Sequence, residues 1–155
     1  MRLIILAITH AGALGLGFAL GVYLLPILTA PASPDAAMLQ AEAQNASYTG
    51  TFTRDLRGSD FLHWGEGTVS LSPTMIVHEG ALSPGPDYKM YLVPEFVDHE
   101  DAFLPIKNQA ALIGDVKTFN GVLLDVSAGV DLEAYTTVLI WCEAFSEFIT
   151  AAKYR

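Results

Sequence analysis

Cys142 is the only cysteine in 155 residues, and it ends the apolar run Thr136–Cys142 directly after Trp141. A single thiol excludes an internal disulfide and any multi-cysteine zinc or iron–sulfur site. Three readings remain: an inert core thiol, an intermolecular bond, or a redox-active or metal-ligating sulfur. Strand phase puts Cys142 on the side of Val138 and Ile140, with Phe145 nearby. Such neighbours raise a thiol's pKa and slow its chemistry, so periodicity alone favours burial.

The histidines are the next candidates. His63 precedes Trp64-Gly65-Glu66-Gly67 and is either a haem or metal ligand or a hydrogen-bonded residue at a strand end. His78 follows Val77 at the end of a short β-branched run. His99 sits in the tract Asp98-His99-Glu100-Asp101, which reads as a solvated acidic loop because adjacent residues rarely converge on one ion. Asp87, after Gly85-Pro86, has the position of a residue that closes its own turn through a side-chain hydrogen bond. Hydrolase, phosphate-loop, dinucleotide and zinc-protease signatures are missing, as is the Cys-x-x-Cys-His attachment of c-type haem. No nucleophile–base pair supports a hydrolase.

Several elements must position these residues. From Leu3 to Leu28 there is no Asp, Glu, Lys or Arg. A helix of that length exceeds the roughly 20 residues needed to span a bilayer, and it is longer than the ~7–15-residue apolar core of a cleaved leader. Residues 1–29 are therefore expected to be an uncleaved signal-anchor, although Ala30-Pro31-Ala32 has the small residues of a cleavage site. Arg2 precedes the span and no Lys or Arg follows until Arg54, so the positive-inside rule places everything beyond it outside the cytoplasm, in the periplasm or the extracellular space. Residues 30–47 form a tether, with Ser33-Pro34 as the expected start of a short helix reaching about Gln44.

From residue 48 to 155 the texture becomes short period-two runs broken by Gly, Pro and Asp, which predicts an all-β domain, either a β-sandwich or an open barrel. Tyr48–Thr53, Thr68–Leu71, Met75–His78, Tyr88–Val93, Val122–Val126 and Thr136–Cys142 are the expected strands. Phe103–Ile113 reads as a loop or a short helix, and the stretch after Phe145 fits helical and strand spacing equally. All 17 acidic residues lie beyond the apolar segment, against 8 basic ones in the whole chain, giving a net charge of −9. That balance excludes nucleic acid as a partner, since phosphates demand a basic face.

Together the residues resemble a known family. Gly50-x-Phe52, His63-x-Gly65-x-Gly67-x-Val69, Gly85-Pro86-Asp87-x-x-x-Tyr91-Leu92, Gly114 with Lys117 and Gly121, and Tyr135-x-x-Val138-x-Ile140-Trp141-Cys142-x-x-Phe145-x-x-Phe148 are similar to the electron-transfer DM-thirteen domain, which accompanies DOMON domains in animal proteins. The resemblance covers about residues 48–155. It implies a β-sandwich-like extracytoplasmic domain with a redox role centred on Cys142, with Trp141 as its neighbour, His63 as the best second ligand, and Gly85, Pro86 and Asp87 as the central motif. The cofactor stays open, haem being one candidate; Cys142, His63, Trp141 and Asp87 are the residues expected to hold one, and a redox partner protein is expected with it. The competing class is a non-catalytic adhesion or interaction module in which Cys142 belongs to the core.

Overall fold

The computed structural model describes all 155 residues. Helix α1 runs from Arg2 to Thr29 with Pro26 inside its last turns and no buried residue. It is long and apolar enough to cross a membrane, and its N-terminal position also suits a signal sequence. Helix α2, Ala36–Ala43, begins two residues later than the Ser33-Pro34 pair suggests. The Asp35 carboxylate accepts from the Ala37 and Met38 amides at 2.8 and 3.4 Å, satisfying donors that the first turn leaves open. The tether does more than space the domain: Leu39 of α2 is buried on the sheet, where a side chain on Gly121 would meet its Cδ1 at 2.6 Å.

Eight strands follow: β1 Tyr48–Phe52, β2 Gly65–Leu71, β3 Met75–Leu82, β4 Tyr88–Val93, β5 Ala111–Val116, β6 Asn120–Asp125, β7 Thr137–Cys142 and β8 Glu147–Lys153. They form two antiparallel four-stranded sheets, β1-β2-β3-β6 and β5-β4-β7-β8, stacked as a β-sandwich. The period-two pattern decides the packing. On β4, Tyr88, Met90 and Leu92 join Val138, Ile140 and Cys142 of β7 in the core between the sheets. Tyr91 and Val93, with Leu139 and Trp141, face the other way. That outer face is covered by helix α3, Glu100–Phe103, and the 3-10 helix Leu104–Gln109.

Three stretches that the sequence leaves open or reads as loop take a definite form. Phe103–Ile113 passes through the 3-10 helix and ends in β5, whose alternation is broken by exposed Leu112 and by a bulge against β4 between Met90 and Tyr91. The acidic tract is partly helical, with His99 at the start of α3. The C-terminal stretch is a strand: pairing of β8 with β7 shifts register between Ile140 and Trp141, and Phe148 through Ala152 are all buried. A run buried on both faces carries no period, which is why spacing alone does not separate helix from strand there.

His78 lies fully buried on β3, edge-on to Phe52 at 5.1 Å between centroids. Its Nε2–H donates to the Glu66 carbonyl at 3.0 Å, while Nδ1 has no partner. Burial holds its pKa below the ordinary 6.5, against the smaller raising effect of the Glu66 bond. The folded chain thus refuses a proton that the unfolded chain accepts, and stability falls as pH drops below about 6.5, by up to ~1.4 kcal/mol per pH unit. Glu66 and Asp115, held low by hydrogen bonds from Arg54 and Lys89, lose their contributions only in the more acidic carboxylate range. Thermal unfolding between pH 7 and 5 is expected to show a falling midpoint for the native chain and a flatter profile for His78→Gln.

Candidate functional site

Two loops and one strand end build the site. Cys142 closes β7 and pairs across the ladder with Tyr88, the first residue of β4. The loop before Tyr88, residues 83–87, folds back over both. Gly85 is required at its apex, because a side chain there would overlap the Tyr88 ring and hydroxyl. The Cys142 thiol donates to the Pro86 carbonyl at 3.1 Å. Asp87 adopts a left-handed conformation with φ +51, a conformation uncommon for non-glycine residues. Its carbonyl accepts from the Glu143 amide at 3.1 Å and its carboxylate pairs with Lys89 at 2.9 Å. The Gly-Pro-Asp motif is therefore a clamp on the end of β7, gripping it at Cys142 and again at Glu143.

The same loop recruits His63. Ser83 makes two bonds to Trp64: its amide donates to the Trp64 carbonyl at 2.9 Å, and its hydroxyl accepts from the Trp64 amide at 3.0 Å. Arg54 stacks on Trp64 with its guanidinium carbon 3.3 Å from the ring centroid and pairs with Glu66 through two hydrogen bonds. His63, one residue before Trp64, is thereby carried to the hollow that Cys142 lines. Asp60 sets its ring: the carboxylate accepts the Leu62 and His63 amides, both at 2.7 Å, and His63 Nδ1 at 3.1 Å. Burial works to raise the Asp60 pKa, yet these hydrogen bonds outweigh it and hold the group below its ordinary value.

Cys142, His63, Tyr88, Leu62, Phe145 and Ile149 thus share one hollow of about 440 Å³. Tyr88 is buried, and desolvation pushes its hydroxyl up to about 12 despite a hydrogen bond with Ser83. Cys142 is 2 % exposed. Burial raises its pKa, the amides of Phe145 and Ala144 oppose that rise incompletely, and the charges of Asp87 and Glu147 add to it. The sulfur is a thiol at neutral pH, at the wall of a hollow rather than in its open volume.

Trp141 and Asp87 lie elsewhere. Trp141 points to the opposite face of β7, into a buried cluster with Phe103 at 4.9 Å, beneath Lys107, whose Nζ lies 5.5 Å from the indole centroid. Asp87 lines the neighbouring depression with Asp115 and Lys117. Sequence reasoning overlooked Tyr88 and Asp60. Asp60-Phe61-Leu62-His63 carries the signal of a side-chain-capped turn, and Tyr88 directly follows the Gly-Pro-Asp motif.

Haem ligated by Cys142 does not fit these residues. An axial sulfur must reach the iron from the hollow, whereas this one is buried at its wall with its hydrogen committed to the Pro86 carbonyl. The lysines beside the hollow's loop are already in ion pairs, Lys89 with Asp87 and Asp115 and Lys117 with Asp115, so no free cation there awaits a propionate. No group of three or more His, Cys, Asp or Glu side chains is placed to hold a metal ion.

A two-sheet sandwich with a clamped thiol at the wall of a hollow, preceded by an apolar helix, defines the class. The chain belongs to the electron transfer DM13 family, whose model matches residues 55–154, from just after β1 to the end of the domain. Comparison with curated proteins and with solved structures gave no match.

The clamp makes a prediction. In the folded chain Cys142 is expected to react slowly with N-ethylmaleimide. Gly85→Ala should lift the loop off Tyr88, cost about 1–3 kcal/mol from overpacking, and speed labelling at least tenfold. Equal labelling rates in the two chains would show that the loop does not control access to the sulfur.

Proposed function

We propose that this is a membrane-attached, extracytoplasmic electron-transfer module whose redox-responsive group is Cys142, read out through the hollow it shares with His63. The observation that carries the reading is the lacing of Ser83 to Trp64, which brings an Asp-held imidazole and the solitary thiol to one hollow. The thiol has a two-electron step open to it without a second cysteine: thiol and hydrogen peroxide give sulfenic acid and water. The raised pKa slows that step, so peroxide is expected to oxidise a fraction of the chains rather than all of them. A redox partner protein would approach at the loops carrying His63 and Pro86. The family match supports the electron-transfer reading.

A second reading has its own support. The 2 % exposure of Cys142 and its bond to Pro86 also suit a structural thiol in a non-catalytic interaction module. The state of the sulfur in cells separates the two. Cells expressing the full chain are challenged with peroxide and quenched in acid, and thiols are alkylated under denaturing conditions before and after reduction. A reducible fraction of Cys142 is expected. A sulfur that stays fully reduced throughout favours the structural module.

Location rests on Arg2 before the span and on the absence of Lys or Arg until Arg54. Alkaline phosphatase fused to Arg155 folds only where its disulfides form. An active fusion is the expected result, and an inactive one would place the domain in the cytoplasm.

A further inference from the structure

The hollow beside Cys142 has one wall that does not belong to the β domain. Phe18, Ala19, Val22 and Tyr23 of α1 complete it. A bilayer core of ~30 Å is crossed by about 20 helical residues at ~1.5 Å each. Counted from Leu3, that length ends near Val22, so these four residues sit at the outer edge of the hydrocarbon. The domain turns apolar side chains toward the same level: Phe145, at the hollow, is 49 % exposed, and Phe61, next to Leu62, is 84 % exposed. Exposed apolar rings of this kind mark a surface that meets a membrane or a partner. The acidic domain gains nothing from anionic headgroups, so this face would meet a bilayer through apolar contact.

A ligand reaching the hollow from that side must dissolve in lipid. The polar groups it would meet are few. The Cys142 thiol donates to Pro86, and the Tyr88 side chain is buried. His63 is different. A carboxylate only accepts, so the Asp60 contact fixes the hydrogen on Nδ1 and leaves Nε2 of the neutral ring an acceptor. The His63 side chain is part-exposed at the hollow, so Nε2 is open to accept from a hydroxyl seated there. We infer that the hollow binds the ring of a lipid-soluble quinol, seated against α1 with one hydroxyl donating to His63 Nε2. This rests on the electron-transfer reading above, and it names the class of small carrier that reading lacks.

The test uses the full chain in lipid nanodiscs under argon, titrated with decylubiquinol and with decylubiquinone, whose fully substituted rings cannot arylate a thiol. The quinol is expected to bind one per chain and about tenfold more tightly than the quinone, the effect of one hydrogen bond. His63→Leu should bring the quinol down to the level of the quinone. Ala19→Trp fills the hollow from the helix side, outside the β core, and should abolish binding of both without moving the melting temperature of the domain. Absence of binding, indifference to His63→Leu, or equal displacement of the quinol by decanoic acid overturns the inference, the last by marking a slot for acyl chains. Reversible oxidation of Cys142, measured on the same preparation, tells the two failures apart: if it persists while the quinol does not bind, the electron-transfer reading stands and the quinol site falls.

Discussion

All six residues of β7 are buried, so neither face of this strand can be left to water. Two coverings are therefore needed. The first sheet supplies one, packing Phe52, Val69, Leu71 and Ile76 against Val138, Ile140 and Cys142. The segment from α3 through the 3-10 helix supplies the other, with Phe103 against Trp141 and Ile106 at the margin. Burial at ~25 cal/mol per Å² makes these two interfaces the main source of stability. The position of the sulfur follows from the same constraint: at the last residue of a strand buried on both faces, it meets the edge of the core where the clamp loop crosses.

The site balances seclusion against access. Desolvation keeps Cys142 protonated, and the Pro86 carbonyl gives its hydrogen a partner. Charge balance nearby is local and mostly satisfied. Lys107 pairs with Glu143 at 2.6 Å, and Tyr91 donates to the same carboxylate, so the residue following the cysteine is tethered on the outer face while its amide is held by Asp87 on the other side. The backbone around the sulfur is thereby fixed from three directions, and any change in the thiol's state is felt by the loop that binds it.

Much of this was legible in residue order. Alternation at Tyr88–Val93 assigns inner and outer faces correctly, because β4 is central and packed differently on each side. The phase of Cys142 with Val138 and Ile140 was readable for the same reason. β5 was not, since exposed Leu112 breaks its alternation and a bulge against β4 shifts its register. The meeting of His63 with Cys142 was also hidden: they are far apart in sequence, and their approach depends on two hydrogen bonds between Ser83 and Trp64 that no periodicity announces. The divergence of Trp141 from Cys142 is the opposite case, because adjacent residues on any strand point apart.

Leu39 against Gly121 sets the domain's leash. Only residues 30–35 separate α1 from α2, and α2 is pinned to the sheet. Six residues reach at most ~20 Å when fully drawn out. A domain so short-tethered cannot patrol a wide shell around its anchor or swing between distant stations. With α1 held in a membrane, as proposed above, the domain would keep within that reach of its surface.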